Sequence, residues 1–291
     1  MLRIGIVGSE NSHTAAFARI LNVRKTLPGA RVVALWGEEP GHTRKVAERC
    51  LIPEIVSTPE EMVGKIDAAI VDHRHAKYHV PAATPLVEAG IHVFVDKPFS
   101  YTVEEGRELL RLARRKKVIV TSYSCVRYAH GFRRVVETKK RLEPVLAADF
   151  SGPCNIESEY GGVFFYGVHQ CEMMVGALGP GAESVTFHRG TGSSHLATVM
   201  YSGGGPCVTL HLMQGYQGGF GWGFYGESGS AHGRLDYRGL YLRGLQAYLR
   251  MIATGQNDLS PEEMLTPVAV LAAIDRSMRS GRAEAVESVS L

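Results

Sequence analysis

The sequence lacks the features that mark secreted, membrane-spanning or zinc-stabilised proteins. Its five cysteines are scattered and form no Cys-x-x-Cys pair, which argues against a zinc knuckle and indicates reduced thiols in a cytosol-like compartment. No apolar stretch is long enough to span a bilayer, and the first residues enter a predicted strand with no signal-peptide pattern. We therefore expect a cytoplasmic protein that does not act at a membrane.

Charge of a single sign is also scarce. The formal net charge of the 291 residues is +3, and both signs are interspersed along the chain. The one basic block, Arg114–Lys117, falls at the end of a predicted helix, where cations suit the helix dipole. The sequence therefore predicts no nucleic-acid partner, and a small molecule is the expected ligand.

What the sequence does have is a regular alternation of strands and helices in its first part. The predicted strands are Arg3–Val7, Arg31–Trp36, Glu54–Ser57, Ala68–Val71, His92–Val95 and Val118–Ser122. The predicted helices are His13–Leu27, His42–Cys50, Val80–Ala89 and Val103–Lys116, with a further one starting at Pro59. This alternation predicts an α/β domain with a doubly wound parallel sheet over residues 1–122.

The pattern changes after about Val126. Glycine-rich segments with strand character predict an open, mostly antiparallel sheet. These segments are Val145–Phe150, Ser184–Arg189, Ala197–Tyr201, Cys207–Met213, Gly221–Gly226 and Gly233–Tyr237. Helices are expected at Val168–Leu178, Leu240–Thr254 and Pro261–Ser280. A second α/β domain is therefore predicted over residues 123–291, with tail helices able to pack back on the first domain.

The most informative motif is Asp96-Lys97-Pro98, which follows the apolar strand His92–Val95. Open α/β sheets bind ligands at the carboxyl ends of their strands. An ammonium group leaving a strand there can donate a hydrogen bond to a substrate oxygen or exchange a proton with it. The alternative is a lysine that only pairs with Asp96.

A degenerate glycine loop follows the first strand. The run Gly8–His13 has the strand–loop–helix context of a dinucleotide fingerprint, but Glu10 and His13 replace two of its three glycines. A carboxylate facing a diphosphate would repel it. If Glu10 points to solvent, the loop can still hold an anion; otherwise the loop is repurposed, or its polar residues only cap the helix. The candidate cofactor-binding residues here are Gly8, Ser9, Asn11 and Ser12.

The second strand ends without the acid that usually grips the ribose diol of a dinucleotide. The expected position is Trp36 or Gly37, and Glu38 lies just beyond it. Glu38 either reaches a ribose or is a loop acid. No arginine stands immediately beside it to favour a 2′-phosphate, although Arg44 keeps that preference open.

Three histidines follow the fourth predicted strand with the spacing His73-x-His75-x-x-x-His79. This spacing could bind a transition metal, but Arg74 and Lys77 lie within it and oppose a cation. Those two residues suit an anionic substrate instead. We predict no metal and keep the histidine site as an alternative.

Further candidates for substrate contacts lie at the predicted domain junction. Arg127, beside Tyr128, could bind an anion, and its alternative role is a salt bridge between domains. Tyr123 and Tyr160 could form polar walls of a cleft or simply pack in the core.

These motifs together resemble the Gfo/Idh/MocA family of oxidoreductases over nearly the whole chain. The residues that carry the resemblance are Gly5–Gly8, Ile66–Val71, His79, Ala82-Ala83, Glu88–Pro98, Arg127-Tyr128, Gly167–His169, Gly226–Gly229 and Ala273–Gly281. The resemblance implies an N-terminal Rossmann domain that binds NAD or NADP. It also implies a C-terminal domain with an open sheet often used for oligomer contacts, so we expect a homodimer or homotetramer.

The resemblance also implies the catalytic residues. Lys97 and His169 match the lysine and histidine that act on the substrate oxygen in this family, and His79 is placed beside the nicotinamide. An aspartate usually lies one helical turn before the histidine, but this chain has Phe165 there. Glu172, three residues after His169 on the same helix face, could orient the imidazole.

The sequence thus predicts an NAD(P)-dependent oxidoreductase acting on a sugar, polyol or related hydroxy or oxo compound. One alternative is a hydrolase or lyase on the same scaffold. Another is a small-molecule binding protein that has lost catalysis, which the degenerate glycine loop, Gly37 and Phe165 favour.

Overall fold

The computed structural model describes residues 1–291 and divides the chain into two compact units. The first comprises Met1–Tyr123, Tyr241–Ser260 and Leu291, and the second comprises Ser124–Leu240 and Pro261–Ser290. The segment 241–260 therefore folds with the N-terminal part of the chain, although more than 100 residues separate them.

The first unit contains a six-stranded parallel sheet. Its strands are β1 (Leu2–Val7), β2 (Ala30–Trp36), β3 (Glu54–Ile55), β4 (Ala68–Val71), β5 (His92–Val95) and β6 (Val120–Ser122). They are arranged in the order β3-β2-β1-β4-β5-β6, and every neighbouring pair is parallel. This confirms the predicted doubly wound sheet. The strand order reverses between β1 and β4, and such a reversal opens a crevice at the carboxyl ends of the strands.

The helices of the crossovers follow the predicted alternation. They are α1 (Ser12–Ala18), α2 (Pro40–Cys50), α3 (His79–Glu88) and α4 (Val103–Lys116). The predicted helix His13–Leu27 is wrong in its second half, where the chain forms a π-helical turn at Arg19–Val23. Within this turn, the Asn22 side-chain amide pairs with both backbone groups of Val32 at 2.9 Å, a tertiary contact that helical periodicity does not reveal.

The second unit contains a seven-stranded mixed sheet. Its first elements are α5 (Phe132–Arg141), β7 (Val145–Pro153), α6 (Val163–Leu178), β8 (Ala182–His188), β9 (Ser194–Tyr201) and β10 (Cys207–Met213). The chain continues through β11 (Gly221–Gly226), β12 (Gly229–Arg234), α7 (Leu240–Thr254), α8 (Pro261–Ser280) and β13 (Glu284–Ala285). The order is β12-β11-β7-β10-β9-β8-β13, with only β7 and β10 parallel. The predicted mostly antiparallel sheet is confirmed.

One predicted strand of this sheet is shifted. The segment Gly233–Tyr237 was expected to be extended, whereas β12 spans Gly229–Arg234. The reason is a tight hairpin, because Gly226 of β11 pairs with Gly229 and so fixes where the return strand begins.

On the covered face of the sheet, α6 contacts β7 and α8. Helix α6 is apolar nearly all round, as a helix packed between a sheet and another helix must be. None of the helices combines the length and apolar character needed to cross a bilayer.

Helix α7 is anchored to the first sheet by one tyrosine. Tyr248 is fully buried, and its hydroxyl lies 3.0 Å from the carbonyl oxygen of Ala69 and 2.9 Å from that of His92. Its ring also packs against Phe94 of β5. Burial of the aromatic ring, together with a satisfied hydroxyl, ties residues 241–260 to the N-terminal strands.

We predict that Tyr248→Phe lowers the free energy of unfolding by about 1 kcal/mol, because the ring remains and only the hydrogen bond is lost. Urea denaturation of the purified protein measures this change. The matched control is Tyr225→Phe, where the tyrosine is 47% exposed and the expected change is within about 0.5 kcal/mol. Equal effects of the two substitutions would contradict the anchoring role.

Candidate active site

The loop after β1 requires a glycine at its first position. Gly8 has a φ of +108°, and a Cβ there would lie 2.7 Å from the backbone carbonyl of Asp72. The ends of β1 and β4 therefore approach too closely for any side chain between them. This confirms the tight-turn role expected of the first fingerprint glycine and brings Asp72 beside the loop.

Glu10 folds back over the loop instead of pointing to solvent. One carboxylate oxygen accepts a hydrogen bond from the Ser9 backbone N–H at 2.9 Å. The other accepts from the Ser9 hydroxyl at 2.8 Å and from the Glu39 backbone N–H at 3.0 Å. Partial burial raises the pKa of Glu10, but these hydrogen bonds outweigh it, so the net shift of the pKa is downward and the side chain is ionised.

The end of β2 has no room for the acid that usually binds ribose. A Cβ at Gly37 would lie 2.1 Å from the Ser9 hydroxyl and 2.3 Å from that of Thr43. Glu38 remains half-exposed, and burial together with the nearby Glu10 charge raises its pKa. Glu39 is used structurally, since its carboxylate caps α2 by accepting from the backbone N–H groups of its first turn.

Asn11 both caps α1 and bridges two buried acids. Its side-chain oxygen accepts from the His13 backbone N–H at 3.4 Å. Its amide nitrogen donates to Asp72 at 2.9 Å and to Asp96 at 3.2 Å. The predicted anion-binding group is thus committed to protein partners, while the neighbouring Ser12 is exposed and available.

Asp72 is the member of this buried pair of acids whose pKa is raised. Burial and the adjacent Asp96 charge raise the pKa of Asp72 well above its usual value, so the carboxyl group keeps its proton. The Thr14 hydroxyl lies 2.7 Å from the carbonyl oxygen of Gly8 and 2.5 Å from one Asp72 carboxyl oxygen, and it shares its hydrogen between them. This hydrogen bond opposes the rise of the pKa without cancelling it.

Asp96 is the ionised member of the pair. It is fully buried, and burial raises its pKa, but the facing His13 ring and Lys97 ammonium lower the pKa far below its usual value. The His13 Nδ1 atom lies 3.1 Å from the carboxylate, and the Lys97 Nζ atom lies 3.9 Å away. Lys97 is itself only 4% exposed. The structure therefore holds a buried ammonium at the end of β5, beside a carboxylate of opposite charge.

His13, Asp72 and Asp96 could also be considered as metal ligands, because one ligand atom of each lies within 4.8 Å of the others. The surroundings oppose a cation. The Asn11 amide donates to both carboxyl groups, the Lys97 ammonium faces Asp96, and Asp72 is protonated. A metal would first have to displace the Asn11 amide, the Lys97 ammonium and the Asp72 proton.

The three histidines after β4 have separate roles. His79 is fully buried, and its two ring nitrogens lie 2.7 Å from the Pro98 carbonyl oxygen and 2.9 Å from that of His73. The His75 Nδ1 atom accepts from the Lys77 backbone N–H at 3.2 Å. These contacts use both ring nitrogens of His79 and one of His75, which opposes a shared metal. His79 instead holds the turn after Lys97 against the end of β4, and contact with a cofactor would require this ring to become exposed.

His73 has a different character. Burial lowers its pKa to about 4, so the ring is neutral. Its Nε2 atom lies 4.0 Å from Glu38, and its buried Nδ1 atom has no hydrogen-bond partner. Unsatisfied buried polar atoms are rare and costly. The end of β4 therefore offers a polar atom to a ligand, a feature that the sequence analysis did not assign.

In the second unit, α6 carries the predicted catalytic histidine. The His169 Nδ1 atom lies 2.8 Å from the Ser124 hydroxyl, and its ring contacts those of Tyr166 and Phe220. Glu172 is buried on the same helix. Ser124 was missed from the sequence, where its only signal is its position directly after β6 and Tyr123.

The remaining predicted substrate residues have varied surroundings. Arg127 forms an ion pair with Glu263 inside the second unit, which makes the alternative of a salt bridge between domains wrong. Tyr123 is fully buried, stacks on Phe94 and donates to the Gly244 carbonyl oxygen at 2.8 Å, so the packing alternative holds for it. Tyr128 is half-buried, and Arg74 is exposed.

The strand order of the first unit defines a Rossmann-type domain, with a buried lysine at the end of β5. Residues 2–124 match the Gfo/Idh/MocA model, which describes an oxidoreductase family with an NAD-binding Rossmann fold. The predicted resemblance to this family is confirmed over these residues, which are less than half of the chain.

One curated relative is similar to part of the chain. An oxidoreductase of Salmonella typhimurium, YceM, is 31% identical over 143 residues, which are 48% of this chain and 43% of the relative. The chain thus matches less than half the length of this curated relative.

Two solved structures cover almost the whole chain. The myo-inositol dehydrogenase of Lactobacillus casei, in complex with NAD(H) and myo-inositol, has a TM-score of 0.84 at 15% identity and covers 100% of this chain and 98% of its own. The scyllo-inositol dehydrogenase of the same organism, with NAD(H) and scyllo-inositol, has a TM-score of 0.86 at 14% identity and covers 99% and 100%. These likenesses establish the fold of both units.

The two buried acids give opposite pH effects on stability. Native Asp72 keeps a proton that the unfolded chain releases above pH about 3.9, so its contribution falls as pH rises. Asp72→Asn keeps a polar group beside the Thr14 hydroxyl. Because asparagine has no titratable proton, the substitution removes this loss of stability at higher pH. We predict that its free energy of unfolding, relative to the unsubstituted protein, rises by up to about 1.4 kcal/mol per pH unit above pH 4.

Asp96→Asn is the matched control. Native Asp96 is ionised, and its lowered pKa contributes stability above the unfolded pKa that is lost as pH falls. At pH 7 the free energy of unfolding of this variant should therefore be lower than that of the unsubstituted protein. The difference between the two should shrink as the pH falls. Urea denaturation from pH about 2, which is below the unfolded pKa of an aspartate, up to pH about 8 measures both. Parallel curves for the two variants would contradict the assignment of the proton to Asp72.

Proposed function

We propose that this protein is an NAD(P)-dependent oxidoreductase that interconverts a hydroxyl and an oxo group of a sugar, polyol or related compound. The observation that carries the proposal is the Lys97 ammonium, buried at the carboxyl end of β5 beside the ionised Asp96. A fixed positive charge at this edge stabilises negative charge that develops on a substrate oxygen. The family match of residues 2–124 and the dinucleotides in the similar structures support the choice of cofactor.

The residues of the first unit fit a dinucleotide. The positive φ of Gly8 keeps the loop tight against β4, and the unpartnered Nδ1 atom of His73 offers a buried polar group at the same sheet edge. Ser12 is exposed on the loop. A bound nicotinamide would supply the hydride chemistry.

Asp96 has a positioning role in this proposal. Its carboxylate lies 3.9 Å from Lys97 and is held on its other sides by His13 and Asn11. The lysine therefore keeps a charge partner in a place that excludes most water. Low local dielectric strengthens its interaction with a substrate oxygen.

His169 is proposed as the group that exchanges the proton of the reacting oxygen. The Ser124 hydroxyl engages Nδ1 at 2.8 Å and so fixes the orientation of the ring. The position one turn earlier holds Phe165, whose ring packs against Tyr160 and Tyr166. We propose that Ser124 takes over ring orientation from the missing aspartate, with Glu172 as a second orienting group on α6.

A binding protein without catalysis is the second candidate. Glu10 is bound to loop amides and Phe165 replaces an acid, and both departures weaken an oxidoreductase site.

The oxidoreductase and the binding protein differ in whether they convert a substrate. Titration with NADH or NADPH, followed by fluorescence, tests cofactor binding, and a panel of inositols and sugars tests turnover. Cofactor binding without turnover on any panel member favours the binding protein, and no binding at millimolar cofactor removes the proposal.

We predict that Lys97→Met lowers kcat/KM at least 100-fold, since a buried acid/base or electrostatic group contributes about 10²–10⁴. NADH binding should remain, because the reacting oxygen belongs to the substrate. The matched control is Lys116→Met, at an exposed position of α4, with an expected change under twofold. Loss of cofactor binding together with turnover would show that Lys97 holds the dinucleotide and not the substrate oxygen.

We predict that Ser124→Ala lowers kcat about tenfold, because His169 keeps its place but loses the hydrogen bond that orients it. The pH optimum of kcat should also shift, since the partner of Nδ1 is removed. Ser124→Thr keeps a hydroxyl and should retain most of the activity, while His169→Ala should lose at least 100-fold. A Ser124→Ala enzyme with an unchanged pH profile would rule out the orienting role.

A further inference from the structure

We propose that Glu10, from the degenerate glycine loop, is the acid that binds the adenosine ribose diol and makes the site prefer NAD(H) over NADP(H). This inference rests on the proposed function, in which a dinucleotide binds at this sheet edge. It assigns a role to the residue that breaks the glycine fingerprint, and it replaces the expectation that Glu38 has that role.

The position that ordinarily carries the ribose acid is closed in this chain. A side chain at Gly37 would collide with the Ser9 and Thr43 hydroxyls, which lie 2.9 Å from each other across the gap between the first two strands. The Ser9 and Thr43 hydroxyls occupy the space that a side chain at position 37 would need. An acid that binds the ribose must therefore come from another element of the fold.

Glu10 delivers a carboxylate to that place. Its oxygens bind the backbone N–H of Ser9 in the loop after β1 and the backbone N–H of Glu39 just after β2. The carboxylate therefore lies between the carboxyl ends of β1 and β2. In a doubly wound sheet this is where the ribose next to the pyrophosphate is bound.

The carboxylate also has capacity for a ligand. The Glu10 carboxylate accepts from the backbone N–H groups of Ser9 and Glu39 and from the Ser9 hydroxyl, and its own backbone N–H also lowers its pKa. Glu10 is only half-buried, so the exposed side of the carboxylate is accessible to a ligand hydroxyl. The amide donors keep the side chain charged and fixed, which suits a diol and repels a phosphate.

A second acid beside Glu10 adds to this preference, whereas three nearby cations oppose it. Glu38 lies close enough for the Glu10 charge to raise its pKa, so two acids share the corner. Arg74 and Lys77 are the cations that act on Glu38, and Arg44 is exposed on α2. The buried His73, with its unpartnered Nδ1 atom, lies 4.0 Å from Glu38 and gives the same corner a second polar group for a nucleoside.

The opposite role for Glu10 is an internal plug. Its carboxylate would then occupy amides needed by the pyrophosphate, and binding would require its displacement. The two roles differ in the sign of one measurement. Removing the charge weakens NADH binding if Glu10 holds the ribose, and strengthens it if Glu10 is a plug.

The test is titration of NADH and NADPH by isothermal calorimetry and fluorescence, with the melting-temperature shift caused by NAD⁺ as a second readout. The unsubstituted protein should bind NADH at least tenfold tighter than NADPH. Glu10→Gln should weaken NADH binding about tenfold and bring the NADH/NADPH affinity ratio close to one. Glu10→Asp keeps the charge and should still reject NADPH.

Glu38→Gln is the matched control and should change the affinity ratio less than threefold. Tighter NADH binding by Glu10→Gln, or an unchanged ratio, overturns the role of Glu10 while leaving the proposed function in place. A larger loss of the ratio in Glu38→Gln assigns the role to Glu38. Failure of all four proteins to bind either dinucleotide, with melting temperatures that show them folded, overturns the proposed function itself.

Discussion

The buried charge on Asp96 is the constraint on which the candidate site depends. A carboxylate without solvent is tolerated only where positive groups and hydrogen-bond donors surround it. Asn11, His13 and Lys97 supply these from the loop after β1 and the turn after β5. The same contacts therefore close the first unit at the carboxyl ends of its strands and hold the lysine that we propose to act on substrate.

Asp72 shows how this arrangement avoids a second buried charge. Two carboxylates bridged by one amide would repel each other strongly, and one of them must stay neutral. Asp96 faces the His13 ring and the Lys97 ammonium and stays ionised, so Asp72 is the acid whose pKa is raised. The fingerprint glycine, the buried acids and Lys97 are thus one connected network, and its polar groups are matched to one another.

The departures from the glycine fingerprint have physical explanations within this network. His13 replaces a small residue but faces Asp96 and packs against Phe17 and Tyr241. Glu10 replaces another and binds amides of two loops. The two residues that replace fingerprint glycines therefore each bind specific groups of the protein. Their effect on function depends on these contacts.

The sequence by itself determined the parallel sheet, the second mixed sheet and the place of Lys97, because hydrophobic periodicity and turn residues act locally along the chain. It also predicted the resemblance of the first unit to an oxidoreductase family. Only the tertiary structure decided that Glu10 turns towards Glu39, that Gly37 has no space for an acid, that Asp72 keeps its proton, and that Ser124 meets His169. Each of these depends on atoms from segments far apart in sequence, whose distances and exposure to water no local pattern encodes.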